Sequence, residues 1–246
     1  MSRRARARPE GHVVVGPRFI AEAITGGTVN ELLYERGHEQ LVERARAEGL
    51  RVRQVKRDRL DDASKGARHQ GVVALGPPFP FAAPSRFDDL ESPLLIAFDE
   101  LKDPQNFGAI LRSALAFGAD GALVTKHRSA SVTPAVVRAS AGASERLPIA
   151  QVTNLSQALL RAQDLGRDVV GLAMGGTDTV DKLGPAPTGR ILVIGSEGPG
   201  LRRLVRERCT RLAAIPQLAG FDSLNASVAA AIALYESRKA IAAASA

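Results

Sequence analysis

From Leu94 onward the chain alternates short apolar runs with helix-like stretches, and this alternation restricts the possible fold more than any other feature. Runs at 94–98 (LLIAF), 122–125 (ALVT), 168–174 (DVVGLAM), 191–195 (ILVIG) and 212–215 (LAAI) read as buried strands, with a weaker one at 147–152 (LPIAQV). Between and after them lie GAILRSALAFG, TPAVVRASAG, NLSQALLRAQDLG and ASVAAAIALYESRKA. Thr133 is a good N-cap ahead of Pro134, and Gly118 and Gly166 stand where helices end. Strand and helix in strict turn imply an α/β fold whose mostly parallel sheet is covered on both faces.

The first third of the chain is different. A basic stretch, residues 1–10, reads as a disordered tail. Residues 11–76 read as a small mixed α/β module, with strands at VVV, VNELLYE, LRVRQVKR and GVVAL and helices at FIAEAI and EQLVERARAEG. The proline-rich segment 77–91 reads as a semi-rigid linker, and 92–246 as the larger domain.

Net charge is +7, with arginine and lysine gathered in three clusters: Arg3 to Arg8, Arg51 to Arg59, and Arg202 to Arg211. Such a balance favours a polyanionic partner, RNA or DNA. One cysteine, Cys209, excludes an internal disulfide framework, and it and four scattered histidines have no metal-site spacing. No apolar run approaches the ~20 residues of a membrane span, and the N-terminus lacks a secretory core. A cytoplasmic, membrane-free protein is expected.

Three loops carry the polar residues that an α/β fold would place at its ligand edge: DPQNFGAILRS from Asp103, VIGSEGPGL from Val193, and IPQLAGFDSLNAS from Ile215. The second is neither a Walker loop nor a GxGxxG fingerprint, and Glu197 in it would repel phosphates. A hydroxyl-bearing or cationic ligand suits it better. Ser196 lacks the GxSxG elbow of a serine hydrolase. Asn225 could cap the final helix, which repeats Val228, Ile232 and Tyr235 at helical spacing with many alanines between; its alanine-rich faces would serve either the core or a dimer contact.

Taken in order, these three loops resemble the motifs of the SpoU (TrmH-like) branch of the SPOUT RNA methyltransferases. The likeness runs through Asn106, Gly108 and Arg112, then Ile194 to Leu201, then Ile215-Pro216 and Ser223 to Ser227, and spans about Leu94 to Lys239. The N-terminal module, with His69-Gln70-Gly71, is similar to the family's ribosomal-protein-like RNA-binding domain. The resemblance implies a C-terminal α/β trefoil-knot domain, a homodimer, and S-adenosylmethionine as methyl donor without a metal. It implies 2′-O-methylation of a nucleotide, a guanosine in 23S ribosomal RNA. It assigns Arg112, Asn106, Glu197, Ser223 and Asn225 to the catalytic centre, and Gly195, Ile215, Leu224, Ile194, Ala173 and Gly175 to the donor. Arg51, Arg53, Lys56, Arg57 and Arg59 would hold RNA backbone. Arginine stays protonated at working pH, so Arg112 is expected to clamp phosphate rather than act as a base. The rival readings are the same chemistry on a transfer-RNA guanosine or a ribosomal adenosine, as in thiostrepton-resistance enzymes, and an inert ribosome-assembly factor. A small-molecule α/β enzyme would leave the arginine clusters without a partner.

Overall fold

The computed structural model describes residues 11–127, 129–218 and 224–244. It contains two sheets. The first is four-stranded and mixed, with β1 (His12–Val15), β2 (Glu31–Tyr34), β3 (Arg51–Gln54) and β4 (Val72–Gly76) in the order β1-β4-β2-β3. Helices α1 (Pro17–Gly26), α2 (Glu39–Ala47) and α3 (Arg57–Ser64) connect it. The sequence reading carried the third strand through Arg57, but the strand stops at Gln54 and α3 begins at Arg57. Only Leu60 and Ser64 of α3 are buried, so its apolar signal is nearly silent.

The second sheet has seven strands, parallel throughout the described pairings: β5 (Leu94–Asp99), β6 (Gly121–Thr125), β7 (Ile149–Val152), β8 (Asp168–Leu172), β9 (Asp178–Thr179), β10 (Arg190–Gly195) and β11 (Arg211–Ala214). Their spatial order is β7-β6-β5-β10-β8-β11-β9. The helices are α4 (Pro104–Ala116), α5 (Pro134–Ala139), α6 (Leu155–Asp164), α7 (Arg203–Arg206) and α8 (Ala226–Ala244). Strand alternation sorts the side chains: Leu94, Ile96 and Phe98 face one core with α4, α5 and α8, whereas Leu95 and Ala97 face the other with α6 and α7. The larger core continues into the first sheet through Val14, Ile20, Leu32, Val72 and Ala74.

Segment 77–91 is stitched down along its length. Ala82 N–H donates to the Ile149 carbonyl at 2.8 Å, extending the sheet beyond β7. Phe87 is buried against Gly121, where a Cβ would come within 2.3 Å of its ring. The Arg167 guanidinium donates to the carbonyls of Phe87, Asp88 and Leu90 at 2.7–3.1 Å. The trefoil knot implied by the resemblance turns on the passage from β11 into α8, part of which (219–223) lies outside the described residues, as does the basic tail 1–10.

A charge cluster fixes the amino ends of the central strands. Arg190, fully buried at the start of β10, donates from Nε to Asp168 at the start of β8 (2.8 Å). Its Nη2 donates to the carbonyls of Leu183 and Gly184, and its Nη1 lies 3.4 Å from Ser237 Oγ on α8. Arg211, opening β11, meets the same carboxylate at 2.6 Å. Burial alone would raise the Asp168 carboxyl, but hydrogen bonds and charge from Arg211 and Arg190 outweigh it and hold the group below the usual carboxylate range. A carboxyl depressed in the folded state contributes stability above the unfolded value, about pH 3.9, and loses it as pH falls through the lower folded one. Asp168→Asn should therefore cost about 3–5 kcal/mol at pH 7, because the fully buried Arg190 loses its counter-charge and Arg211 is left with Asp178 at 3.8 Å. Its stability, followed by denaturant unfolding from pH 7 to pH 2, should fall less steeply below pH 4 than that of the unaltered protein; parallel acid limbs would refute the assignment.

Candidate functional site

Two loops at the carboxyl ends of neighbouring strands form the centre of the site. After β5 the chain reaches Asp103, which caps α4: its carboxylate accepts from Gln105 N–H (3.3 Å) and Asn106 N–H (2.9 Å), with Pro104 in the first turn. The cap fixes that turn and leaves Asn106 buried. After β10, Ser196 and Gly200 exchange backbone hydrogen bonds of 3.0 and 3.1 Å, closing a tight loop that presents Glu197. Asn106 Nδ2 donates to Glu197 Oε1 across the gap.

A second clasp lies beside it. Arg202 donates from its backbone N–H and from Nε to the buried Asp99 carboxylate, both at 2.7 Å, and from Nη1 to Glu100, also at 2.7 Å. Glu100 adopts a positive φ of 58° immediately after β5, turning the chain out of the sheet. The chain leaves β5 toward β6 on one side, while β10 adjoins β8 on the other. The clasped loops therefore sit at the crevice where an open parallel sheet reverses its winding, the usual ligand position in such sheets.

From this point a cavity of about 880 Å³ extends over the ends of β10, β8 and β11. Ala173, Gly175, Ile194, Gly195, Ile215 and Leu224 all line it, as do Glu197 and Asn225. The six residues that the resemblance assigned to the donor thus share one wall system. Gly195 is required there by close approach, since a Cβ would lie 2.3 Å from the Gly200 carbonyl carbon. Asn225 Oδ1 accepts from Ser227 N–H (2.8 Å) and Ser227 Oγ (2.6 Å), so it caps α8 and keeps only its amide N–H groups for anything else. Arg206 also lines the cavity, which sequence reasoning missed because it sits inside an arginine-rich run.

Other expected residues lie elsewhere. Arg112 is six positions beyond Asn106 on α4, about 9 Å along the axis and roughly 240° around it. It is exposed and does not line its own chain's cavity. Ser223 lies outside the described residues. Arg51, Arg53, Lys56, Arg57 and Arg59 are all exposed, on edge strand β3 and the start of α3, and Arg53 lies 3.5 Å from Glu31 in an ion pair. The third arginine cluster does not form one patch. Arg202 and Arg211 are internal ties, and Arg203 pairs with Glu207 at 2.7 Å. Burial pushes the Cys209 thiol up to about 12, with Asp99 adding to the effect, so it is no nucleophile at neutral pH.

Residues 93–235 match the model of the SpoU rRNA methylase family. The chain belongs to this family. Residues 13–82 match a second model, for RNA 2′-O ribose methyltransferase substrate binding. A protein of Mycolicibacterium gilvum described as an uncharacterized tRNA/rRNA methyltransferase is 40% identical over 247 residues, covering 95% of this chain and 78% of its own. Among solved structures, the SpoU methyltransferase AviRb from Streptomyces viridochromogenes with AdoMet is 31% identical, with a TM-score of 0.78 over 93% of this chain and 89% of its own. An AdoMet-bound rRNA methyltransferase from Sinorhizobium meliloti is 25% identical, with a TM-score of 0.80 over 93% and 87%. The two sheets of this chain are therefore those of a SpoU RNA methyltransferase.

Because Gly195 touches Gly200 so closely, Gly195→Ala should force open the Ser196–Gly200 pair. A loss of about 1–3 kcal/mol is expected from such overpacking. A denaturation midpoint equal to that of the unaltered protein would show that the loop is not held as described.

Proposed function

We propose that this chain uses S-adenosylmethionine to methylate the ribose 2′-hydroxyl of a nucleotide in ribosomal RNA, a guanosine of the 23S molecule, and that it acts in the cytoplasm as a homodimer. The observation that carries the reading is the Asn106–Glu197 hydrogen bond at the mouth of the cavity. It supports the reading by holding in one orientation a carboxylate that lines a cavity of small-molecule size.

The cavity suits the donor on its own chemistry. Its volume lies in the range of small-molecule sites, about 300–1,000 Å³. Ile194, Ile215 and Leu224 offer apolar walls, the ends of three parallel strands offer main-chain donors and acceptors, and Glu197 is a single negative charge suited to a cation. S-Adenosylmethionine, when bound, supplies an activated methyl group with a neutral thioether as its leaving group.

The remaining work falls to the side chains. Asn106 holds one oxygen of Glu197, leaving Oε2 without a protein partner among the described residues. That oxygen can orient the ribose or face positive charge. The Asn225 amide can donate to a ribose oxygen, and Ser223 is assigned beside it. Alignment of the hydroxyl with the methyl group is the main requirement. Arg112 would clamp the nucleotide's phosphate and favour the developing alkoxide. Arg51, Arg53, Lys56, Arg57 and Arg59 supply an RNA-backbone contact on the free edge of the first sheet.

Two features support the homodimer. On α8, Val228, Ile232 and Tyr235 form an exposed apolar stripe, with Tyr235 at 52% exposure and edge-on to Phe117, while Ala230, Ala233 and Leu234 face the core. Arg112 is exposed and does not line its own chain's cavity, an arrangement in which a second copy of the chain would supply it. The first sheet domain favours ribosomal over transfer RNA, and intact Asn106, Arg112, Glu197 and Asn225 weigh against an inert assembly factor.

Mass-spectrometric mapping of ribosomal RNA from cells lacking the gene should show one 2′-O-methyl group missing, restored by the gene but not by its Glu197→Gln form. A complete set of ribosomal modifications, with a gap in transfer RNA instead, would move the substrate there. The dimer makes a separate prediction. Arg112→Ala and Glu197→Gln subunits, each inactive alone, should recover about a quarter of unaltered activity when co-expressed in equal amounts, since half the dimers are mixed and each mixed dimer has one intact centre. No recovery would place both residues in the same chain's centre.

A further inference from the structure

A second concavity of about 710 Å³ opens on the same edge of the large sheet, over the carboxyl ends of β5, β6 and β7. Arg202 and Glu100 form the wall on the donor-cavity side, and the same two residues clasp the Glu197 loop to β5. The crevice is thus built against the proposed catalytic centre without being part of it. β6 and β7 stand two and three strand spacings from β10, roughly 10–15 Å away.

Its lining says what it would take. The charges nearest it are already compensated: Arg202 by Asp99 and Glu100, Arg203 by Glu207. What remains carries no permanently charged side chain and is partly apolar, which suits a nucleobase better than a bare phosphate. Asn154 Oδ1 caps α6 by accepting from Gln157 N–H at 3.3 Å, leaving the amide NH₂ as a donor. Ser156 and His127 add further hydrogen-bonding groups, and the first main-chain N–H groups of ten-residue α6 have no partner within the helix. Leu204, 57% exposed at the lip, offers an apolar surface for a ring to cover.

We propose that this crevice receives an unstacked base of the RNA strand adjacent to the methylated nucleotide and reads its edge through Asn154 and the start of α6. Sequence-specific RNA proteins commonly splay single-stranded bases and bond their edges in this way. The inference rests on the reading of the chain as an RNA 2′-O-methyltransferase, and it adds a determinant of sequence context that the three motif loops do not contain.

Two variants of the full chain test it. Asn154→Ser keeps a capping oxygen and removes the amide donor. Thr153→Trp, from an exposed position on the rim, fills the crevice. Transfer from tritium-labelled S-adenosylmethionine is measured on ribosomal RNA, and separately on transfer RNA, from cells lacking the gene, alongside RNA dissociation constants from filter binding and donor affinity from calorimetry. Thr153→Trp should raise the RNA KM and Kd about tenfold, in line with one lost base contact. Asn154→Ser should do so to a smaller extent, with kcat and donor affinity within about twofold of the unaltered protein. RNA constants unchanged in both variants would overturn the proposal. So would a Thr153→Trp protein that changes oligomeric state, because the crevice would then belong to a second copy. If the unaltered enzyme labels neither RNA, the functional reading fails, while the filter-binding comparison still decides the crevice.

Discussion

The large sheet is organised around one buried arginine. Arg190 has no access to water, and a guanidinium in that position is tolerable only if its donors are met. Asp168, two carbonyls and Ser237 meet them, and in doing so tie the starts of β10 and β8 to the last helix. Arg211 brings β11 to the same carboxylate. Parallel strands have no hairpin to set their register, so a polar anchor at one end does that work. With the amino ends fixed, the opposite ends of the same three strands are held level, and those ends form the 880 Å³ cavity. The polar anchor lies at one end of these strands and the cavity at the other.

A comparable anchor joins the two sheets. Glu145, buried in a short turn after α5, accepts from His12 Nε2 on β1 at 3.0 Å, from Ser144 Oγ at 3.4 Å and from Thr28 Oγ1. Gly26, at the end of α1, packs so tightly on this turn that a Cβ would lie 1.9 Å from the Glu145 carbonyl oxygen. Phe79, in the segment between the sheets, meets the His12 ring edge-on at 5.2 Å. A buried carboxylate of the larger unit that accepts from His12 and Thr28 of the smaller one resists separation, because parting them would break those hydrogen bonds. The basic edge at β3 is therefore carried at a set position relative to the cavity rather than on a loose tether.

Much of this was legible in the sequence. Buried parallel strands are near-continuous apolar runs, and β5, β6, β8, β10 and β11 all announce themselves this way. Thr133 does so through capping chemistry that depends only on its neighbours, whereas the caps Asp103 and Asn154 went unread. Short or polar elements were silent. α3 has one large buried side chain, α7 has four residues, and β9 is two residues long and recruited by β11. The charge clusters misled for a related reason. A run of arginines reads as one surface, yet its members point to different partners: Arg202 to β5, Arg211 to β8, Arg206 to the cavity. Composition counts charges; only the fold shows which are already spent.

The same distinction bears on the motif residues. Asn106 and Arg112 belong to one motif, but helical geometry puts them on different faces, one buried against Glu197 and the other in solvent. A linear motif is thus divided between two surfaces of a single chain. An isolated protomer offers the cavity, the carboxylate and the capping amide, and directs its arginine away from them. Beside α4, helix α8 carries an exposed apolar stripe of its own at Val228, Ile232 and Tyr235.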